Sequence, residues 1–271
     1  MRIIDFHVHT FPDAIADKAV GKLAKISKLT PATNGTVSET LSLMERTHVD
    51  LFINLNIATA PTQQRTINQS AAKLNAAYSD RMLSFGSVHF LAADALEELD
   101  RIHAFGLPGI KLHPDYQEFM IDDRRLYPIY EKCAQLDIPI VFHAGWDCYS
   151  PDVVHAPPAR SRKVAEDFPR LKIVLAHMGG IFCWDEAETD LAGLENVYFD
   201  TAMAATYGPG QAQAMRIINR HPIENILLGS DCPWEQPEKS IAYVTALPLP
   251  EDRIERILSR NAMDLLHLPR Q

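Results

Sequence analysis

Eight short apolar segments, separated by helical patterns, are the feature that most constrains how this chain can fold. Most are continuous runs of Ile, Val, Leu and Phe, which is typical of parallel strands buried on both faces of a sheet. The predicted strands cover residues 2–6, 49–56, 82–88, 109–113, 138–142, 172–176, 197–200 and 225–230. Their alternation with helices predicts an α/β fold.

Helical periodicity fills the intervals between these segments. The segment 94–105 has apolar residues at helical spacing and stops at Gly106. In the segment 36–47, Ser38 is the expected N-terminal cap. The other predicted helices cover residues 63–78, 123–136, 157–168, 187–194, 209–219 and 251–266.

Eight strands with intervening helices predict a (β/α)8 TIM barrel, which typically needs ~250 residues. The chain has 271 residues and shows no internal repeat or linker, so we expect a single domain over residues 1–271. The alternative is an open doubly wound sheet. That fold usually carries a glycine-rich phosphate loop after its first strand, and HVHTFPDA is not one.

Charge and composition restrict the partners. The formal net charge of −9 argues against a nucleic-acid partner, and no apolar run approaches the ~20 residues of a membrane span. The N-terminal RIIDFHVH is too short for a signal peptide, and the four cysteines contain no C-x-x-C pair. We therefore expect a cytoplasmic protein with reduced thiols that acts on a small molecule; homo-oligomerisation stays open.

Four histidines and one aspartate lie at the ends of four predicted strands. They are His7, His9, His143, His177 and Asp231. In a barrel the carboxyl ends of the strands surround one mouth, where active sites lie. This placement predicts a metal-dependent enzyme.

The residue types suit metal chemistry. His7 and His9 are two apart, so on a strand they face the same side. A neutral imidazole such as His143 is a good zinc ligand. Asp231 can be a ligand and a general base for water, or alternatively a helix cap. For His177 we favour polarisation of water and substrate over metal binding, with packing as a third alternative.

Three histidines and one aspartate with one open position describe a catalytic metal site. We expect zinc rather than manganese, and one ion rather than two. A metal-bound water has its pKa lowered to about 7 and becomes a nucleophile at neutral pH.

Other candidates lie near the same mouth. Lys111 has three alternative roles: binding a substrate carboxylate, bridging two metals after carboxylation by carbon dioxide, or forming an interior salt bridge. His113 shares its strand face and either reaches the mouth or caps the loop; His89 is a further mouth candidate. Trp146, Trp234 and Tyr116 are expected in loops, as substrate walls or as loop packing.

The motifs DFHVHTFP, GIKLHP, VFHAG, VLAHMGG and LLGSDCPW occur in this order along the whole chain. Together they resemble the amidohydrolase superfamily, specifically its amidohydrolase-2 branch, which includes aminocarboxymuconate-semialdehyde decarboxylase and related metal-dependent hydrolases. The resemblance implies a (β/α)8 barrel with a divalent metal, usually zinc, at its mouth.

The resemblance also implies roles for individual residues. His7 and His9 match the first-strand ligands, His143 the strand-five ligand, and Asp231 the strand-eight ligand and base. His177 matches a histidine that binds a second metal in binuclear relatives and activates water or binds substrate in mononuclear ones. Lys111 lies where binuclear members place a carboxylated lysine.

Two enzyme activities fit this site. We favour a hydrolase that attacks the carbonyl of an amide, lactone or ester, because the chain lacks insertions that the decarboxylases of the branch carry. The alternative is non-oxidative decarboxylation of a small unsaturated or aromatic carboxylate held by Lys111. A third hypothesis is a non-catalytic metal-binding or scaffold barrel.

Overall fold

The computed structural model of the protein describes residues 2–269. All eight predicted strands are present and pair in parallel with their neighbours in chain order. The strands are β1 (Ile4–Val8), β2 (Leu51–Leu55), β3 (Met82–Phe85), β4 (Ile110–Leu112), β5 (Ile140–Phe142), β6 (Ile173–Leu175), β7 (Val197–Asp200) and β8 (Ile226–Leu227). β1 extends two residues beyond its predicted end, so His7 lies within the strand.

Backbone contacts close the strands into a ring. The regular ladders form one sheet of β1–β3 and another of β4–β8. Isolated parallel bridges join Gly86 to Ile110 and Val8 to Cys232. Because these bridges connect the sheets at both edges, no open edge remains between them, and the predicted barrel is confirmed over the doubly wound alternative.

The contact between the first and last strands is continuous. The Phe6 amide donates to the Leu228 carbonyl at 2.7 Å, and the Asp231 amide donates to the His7 carbonyl at 2.8 Å. The His9 amide then donates to the Cys232 carbonyl at 2.7 Å. We call this contact the seam; it brings the loop after β8 against the end of β1.

Helices lie between the strands along the chain. The longer ones are Asp13–Ser27, Val37–Arg46, Gln64–Tyr78, Ala95–Ala104, Tyr127–Gln135, Pro158–Asp167, Gln211–Arg220, Pro237–Thr245 and a C-terminal run made of Glu251–Glu255, Arg256–Arg260 and Asn261–Leu265. Short helical turns also cover Pro114–Gln117, Trp184–Glu186 and Ala204–Tyr207.

The sequence missed two helices and misplaced one cap. Asp13–Ser27 has only two buried residues, so its apolar stripe is too narrow to recognise. Pro237–Thr245 was not predicted. The helix predicted over residues 36–47 is capped by Thr36 and not by Ser38. The Thr36 side chain accepts a hydrogen bond from the Glu39 amide. The predicted helix 187–194 is a π-helical turn, Ala187–Leu191.

Apolar side chains fill the ring of strands. One buried cluster combines residues from both sheets, β1–β3 and β4–β8, and these include Ile4, Phe6, Ile53, Val141, Val174 and Leu227. Burying each of these side chains contributes roughly 1.5–3 kcal/mol. A second, larger cluster packs the helices on the outside of the strands. The core therefore fixes the positions at which the strands end.

The loop after β5 is tied to the rest of the mouth. The buried Asp115 carboxylate accepts from the Ser150 hydroxyl and lies 3.0 Å from His155 Nδ1. At the base of the loop, Gly145 has a φ of +85°, and a Cβ there would meet the Ile181 amide nitrogen at 2.2 Å. Only glycine fits this approach, so the loop has a fixed path.

The sequence predicted reduced thiols and no membrane span. All four cysteines have free thiols. Across residues 2–269, none of the helices combines the length and apolarity needed to cross a bilayer.

A buried histidine outside the mouth makes stability depend on pH. His221 Nδ1 accepts from the Gly193 amide at 3.2 Å, and Nε2 donates to the Val197 carbonyl at 3.0 Å. Burial lowers its pKa from 6.5 to about 4. Because the unfolded chain binds the proton more tightly, the stabilisation is complete above pH 6.5. It decreases as the pH falls toward 4, by up to about 3 kcal/mol.

We therefore expect the fall in unfolding free energy between pH 7 and pH 4.5 to be smaller for His221→Gln than for the wild type. Urea unfolding at several pH values measures this difference. The exposed His103 offers the control His103→Gln, which should keep the wild-type slope. Identical slopes for wild type and His221→Gln would contradict the role of His221.

Candidate metal centre

Three predicted ligands meet at the seam. His7 Nε2 lies 3.2 Å from His9 Nε2 and 3.5 Å from Asp231 Oδ1, and His9 Nε2 lies 3.2 Å from the same oxygen. We call these three residues the seam group. His7 and Asp231 are buried, the His9 side chain is 12% exposed, and the three ligand atoms lie within 4.8 Å of one another.

These spacings fit a metal ion. Ligands bound tetrahedrally at ~2.0–2.1 Å are separated from each other by roughly 3.3–3.4 Å. The three measured separations, 3.2, 3.5 and 3.2 Å, match one face of such a tetrahedron. An ion held by these three residues would have a further position open to water or substrate, as in catalytic sites.

The other nitrogen of each imidazole fixes the orientation of the ring. His7 Nδ1 donates to Asp200 Oδ2 at 2.7 Å, and His9 Nδ1 donates to the Leu55 carbonyl at 2.8 Å. A neutral imidazole that donates through Nδ1 has its lone pair on Nε2. Both Nε2 atoms are therefore prepared to bind a metal.

Asp200 is a positioning residue that the sequence reasoning missed. It is fully buried at the end of β7, and its Oδ1 accepts from the amides of His177 and Ala202 at 3.0 and 3.1 Å. Its carboxylate thus links three strands of the mouth. The sequence did contain a signal for Asp200, because this residue ends the predicted strand 197–200.

The pKa shifts of His7 and Asp231 leave the seam group suited to bind a cation. Burial lowers the pKa of His7 well below 6.5, so its imidazole is neutral at pH 7. Burial alone would raise the pKa of Asp231, but the imidazoles of His7 and His9 hold it at about 2. Two imidazoles and one carboxylate form a ligand set that suits a divalent ion.

Lys111 places a cation beside the seam group. Its side chain is fully buried, and Nζ lies 3.5 Å from His7 Nε2. Burial lowers its pKa from 10.5 to about 8, against the opposing effect of nearby carboxylates, of which Asp200 is the strongest. Over residues 2–269, no carboxylate oxygen lies within the 4.0 Å ion-pair distance of Nζ, so the interior salt bridge is not formed there.

His177 and His143 line the part of the mouth next to the seam group. His177 Nδ1 lies 3.0 Å from the Ala202 carbonyl, and its Nε2 lies 3.1 Å from His143 Nδ1. Burial lowers the pKa of both imidazoles, that of His177 to about 4. The structure therefore places His143 beside the seam group rather than within it, and its role as the fourth ligand stays a prediction.

His143 instead joins a second group of three buried residues, with His113 and Asp147. His113 Nδ1 accepts from the Tyr116 amide at 3.4 Å, so it caps the turn Pro114–Gln117 and also faces the mouth. Asp147 is a further residue that the sequence reasoning missed. Nothing in its loop sequence marked it, because its partners lie on other strands.

The remaining candidates lie around these two groups. Tyr116 stacks on His113 with ring centroids 3.7 Å apart. Trp146 donates its indole N–H to the Pro151 carbonyl and lies near the exposed Phe182. Trp234 is half-buried in the loop after Asp231. His89 is buried, belongs to neither group and stacks on Phe90.

The hydrogen bond between Asp200 and His7 gives a testable prediction. In Asp200→Asn, the amide oxygen can still accept from the two backbone amides, and the amide nitrogen then faces His7 Nδ1. The proton of His7 moves to Nε2, where it blocks the lone pair. We expect metal affinity to fall on the order of 100-fold, measured by competition with a chromophoric chelator.

The exposed Asp252 offers a matched control, because Asp252→Asn makes the same chemical change far from the mouth. Wild-type metal affinity in a folded Asp200→Asn variant would show that this hydrogen bond does not prepare His7.

Comparison with known proteins supports an enzyme of one family. A family model described as Amidohydrolase matches residues 4–268. A 2-keto-4-carboxy-3-hexenedioate hydratase from Sphingobium sp. is 26% identical over 166 residues, which are 51% of this chain and 47% of that protein. Decarboxylase orsB from Emericella nidulans is 26% identical over 215 residues, 62% of this chain and 64% of that protein. The matched regions thus span less than two thirds of these relatives.

Solved structures support the same fold. A TIM-barrel protein from Bordetella bronchiseptica superposes with a TM-score of 0.81 at 22% identity, over 99% of both chains. A dihydroxybenzoic acid decarboxylase from Polaromonas sp., solved with manganese and 2-nitroresorcinol, gives a TM-score of 0.75 at 17% identity, over 100% of this chain and 98% of that one. The predicted resemblance is confirmed: the chain belongs to the amidohydrolase-2 branch of the amidohydrolase superfamily.

Proposed function

We propose that this enzyme is a metal-dependent, non-oxidative decarboxylase of a small unsaturated or aromatic carboxylate. The sequence favoured a hydrolase, with decarboxylation as the alternative. Several relatives are named as decarboxylases, and they support that alternative. Within the site, the buried Lys111 beside the seam group is the observation that carries the proposal.

Lys111 is suited to hold the carboxylate that will be lost. Its ammonium has no carboxylate partner within ion-pair distance among the described residues, and it is shielded from water. A substrate carboxylate would supply the missing counter-charge, and the pairing is strong in a site that excludes water. This contact orients the scissile carbon–carbon bond next to the seam group.

His7, His9 and Asp231 are the residues that would hold the divalent ion. We propose zinc or manganese, since imidazole and carboxylate ligands accept both. When bound, the ion acts as a Lewis acid on substrate oxygen atoms. The Asp231 carboxylate would offset only one of the two charges of a divalent ion, which favours an anionic substrate.

The reaction needs one proton. As the carbon–carbon bond breaks, carbon dioxide leaves and the bonding pair stays on the substrate carbon, which then takes a proton. Asp231 is ionised at neutral pH and can accept a proton from a substrate hydroxyl or from water and return it to that carbon. His177, which is neutral and hydrogen-bonded through Nδ1, forms the adjoining wall of the site.

Addition of water is the second candidate, either hydrolysis of a carbonyl or hydration. The Asp231 carboxylate is ionised at neutral pH and can also act as the base for an attacking water. The hydratase relative also supports it. Release of carbon dioxide from a panel of aromatic and unsaturated carboxylates distinguishes the two candidates, since water addition releases none.

Removal of the Lys111 charge tests the proposal. We expect Lys111→Met to lose at least about 100-fold in kcat/KM for carboxylate substrates, because the charge-assisted contact is absent. The measurement is carbon dioxide release under single-turnover and steady-state conditions. Lys163→Met, which removes an exposed lysine paired with Asp167, is the control. Full activity of Lys111→Met would rule out Lys111 as the carboxylate-binding group.

The variant Asp231→Asn distinguishes metal binding by this residue from its role in proton transfer. The amide oxygen can still contact a metal, so we expect partial metal content, whereas turnover should fall by 10²–10⁴-fold because the base is removed. Elemental analysis and product formation on the same preparation provide both values. A near-normal rate would show that another group moves the proton.

A further inference from the structure

The loop after β8 holds Asp231 in a backbone conformation that is uncommon for a residue other than glycine. The φ angle of Asp231 is +69°, which lies in the left-handed region. Such conformations persist where the surrounding structure holds them, and they cluster at functional sites. From this position the Asp231 carboxylate reaches His9 Nε2 at 3.2 Å and His7 Nε2 at 3.5 Å. The contacts that hold the loop therefore decide where this carboxylate lies.

The side chain of Asp5 binds the residue that precedes Asp231. Asp5 lies in β1 and is 1% exposed. Its Oδ1 accepts from the Ser230 amide at 2.9 Å, and its Oδ2 accepts from the Ser230 hydroxyl at 2.5 Å. Both oxygens of one buried carboxylate are thus bonded to the neighbour of Asp231, which is 225 residues away from Asp5 along the chain.

Ser230 connects this carboxylate to the residue that follows Asp231. Because the Ser230 hydroxyl donates its hydrogen to Asp5, its oxygen is free to accept, and it accepts from the Cys232 amide at 3.0 Å. The Asp231 amide itself donates to the His7 carbonyl at 2.8 Å. Three successive amides, those of residues 230, 231 and 232, are therefore hydrogen-bonded, and Asp231 is the middle residue.

Closure of the barrel does not require the Asp5 carboxylate. Backbone hydrogen bonds already join β1 and the residue after His7 and Val8 to the last strand and its loop, at the amides of Phe6 and His9. A buried carboxylate is costly unless it is bonded, and Asp5 has three donors, the third being the His7 amide at 3.2 Å. What the carboxylate adds to the seam is a fixed path for residues 230–232.

We propose that Asp5 is a positioning residue that acts through Ser230 and holds Asp231 in its left-handed conformation. The Asp231 carboxylate is then directed at the two imidazoles of the seam group before an ion binds, and such preorganisation favours binding. Asp5 itself lies outside the ligand set. Asp200 orients one imidazole of the seam group, whereas Asp5 orients its carboxylate. The inference rests on the proposed role of Asp231 as a metal ligand.

The variant Asp5→Asn tests this role with little change in side-chain size. Whichever way the new amide turns, its NH₂ group replaces one of the two accepting oxygens. The NH₂ group then either faces the Ser230 amide or leaves the Ser230 hydroxyl hydrogen without an acceptor. We expect the affinity of the full chain for Zn²⁺ or Mn²⁺ to fall about 10-fold, measured by competition with a chromophoric chelator.

Backbone hydrogen exchange provides a second readout that needs neither metal nor substrate. In the metal-free wild type the amides of residues 230–232 are hydrogen-bonded, so a peptide that contains them should take up deuterium slowly. We expect faster uptake by this peptide in Asp5→Asn, and unchanged uptake by peptides that contain β4 and β5. Mass spectrometry of the digested protein measures both.

A double-mutant cycle distinguishes positioning of Asp231 from a general effect on β1. In Asp231→Ala the carboxylate is absent and both histidines of the seam group remain, so weaker metal binding is measured at higher metal concentration. Adding Asp5→Asn there should change the affinity by less than about 2-fold, because no ligand is left to position. Asp50→Asn is the matched control: Asp50 also accepts from a backbone amide, that of Ile3 at 2.7 Å, just before β1. This variant should bind metal like the wild type.

Two outcomes would overturn the proposal. One is wild-type metal affinity in a folded Asp5→Asn variant. The other is an equal loss of affinity on adding Asp5→Asn to the wild type and to Asp231→Ala, which would make Asp5 a general support of β1. A wild type that binds no metal would refute the proposed metal centre, whereas unchanged exchange of residues 230–232 in Asp5→Asn would by itself refute the role of Asp5. Circular dichroism of each variant shows whether a loss of affinity reflects loss of fold.

Discussion

The carboxylate of Asp200 is the interaction on which the mouth of the barrel depends. One oxygen holds the Nδ1 proton of His7 at 2.7 Å, and the other accepts from the amides of His177 and Ala202. The same side chain therefore sets the tautomer of a metal ligand and the path of the backbone after β6. A buried carboxylate is costly unless it is fully bonded, and here its bonds connect β1, β6 and β7.

The mouth that Asp200 holds together contains two regions with different polarity. At the seam, two imidazoles and one carboxylate lie beside the Lys111 ammonium, which suits an anionic ligand. Beyond His177, the loop after β5 brings Asp147 toward two stacked imidazoles. His143 lies between the regions, and the direction of its ring decides which of them it serves.

The sequence predicted the barrel because parallel strands buried on both faces leave a strong local pattern. It also predicted that His7, His9 and Asp231 share one mouth, and the structure brings the three together, since strand ends in a barrel converge whatever the intervening distance. It did not reveal Asp200 or Asp147, whose meaning depends on which strands become neighbours. Nor could it fix the ring direction of His143, which follows from a hydrogen bond to His177 that only the folded chain makes.

The seam also has a consequence for biosynthesis. His7 and His9 are made with or directly after β1, whereas Asp231 is made only after β8. An ion bound by these residues would join the first strand of the barrel to the loop after the last strand, and a nascent fragment that lacks β8 would not offer the complete group. Capture of a metal by the complete group would therefore report that β8 has been made and that the ring has closed.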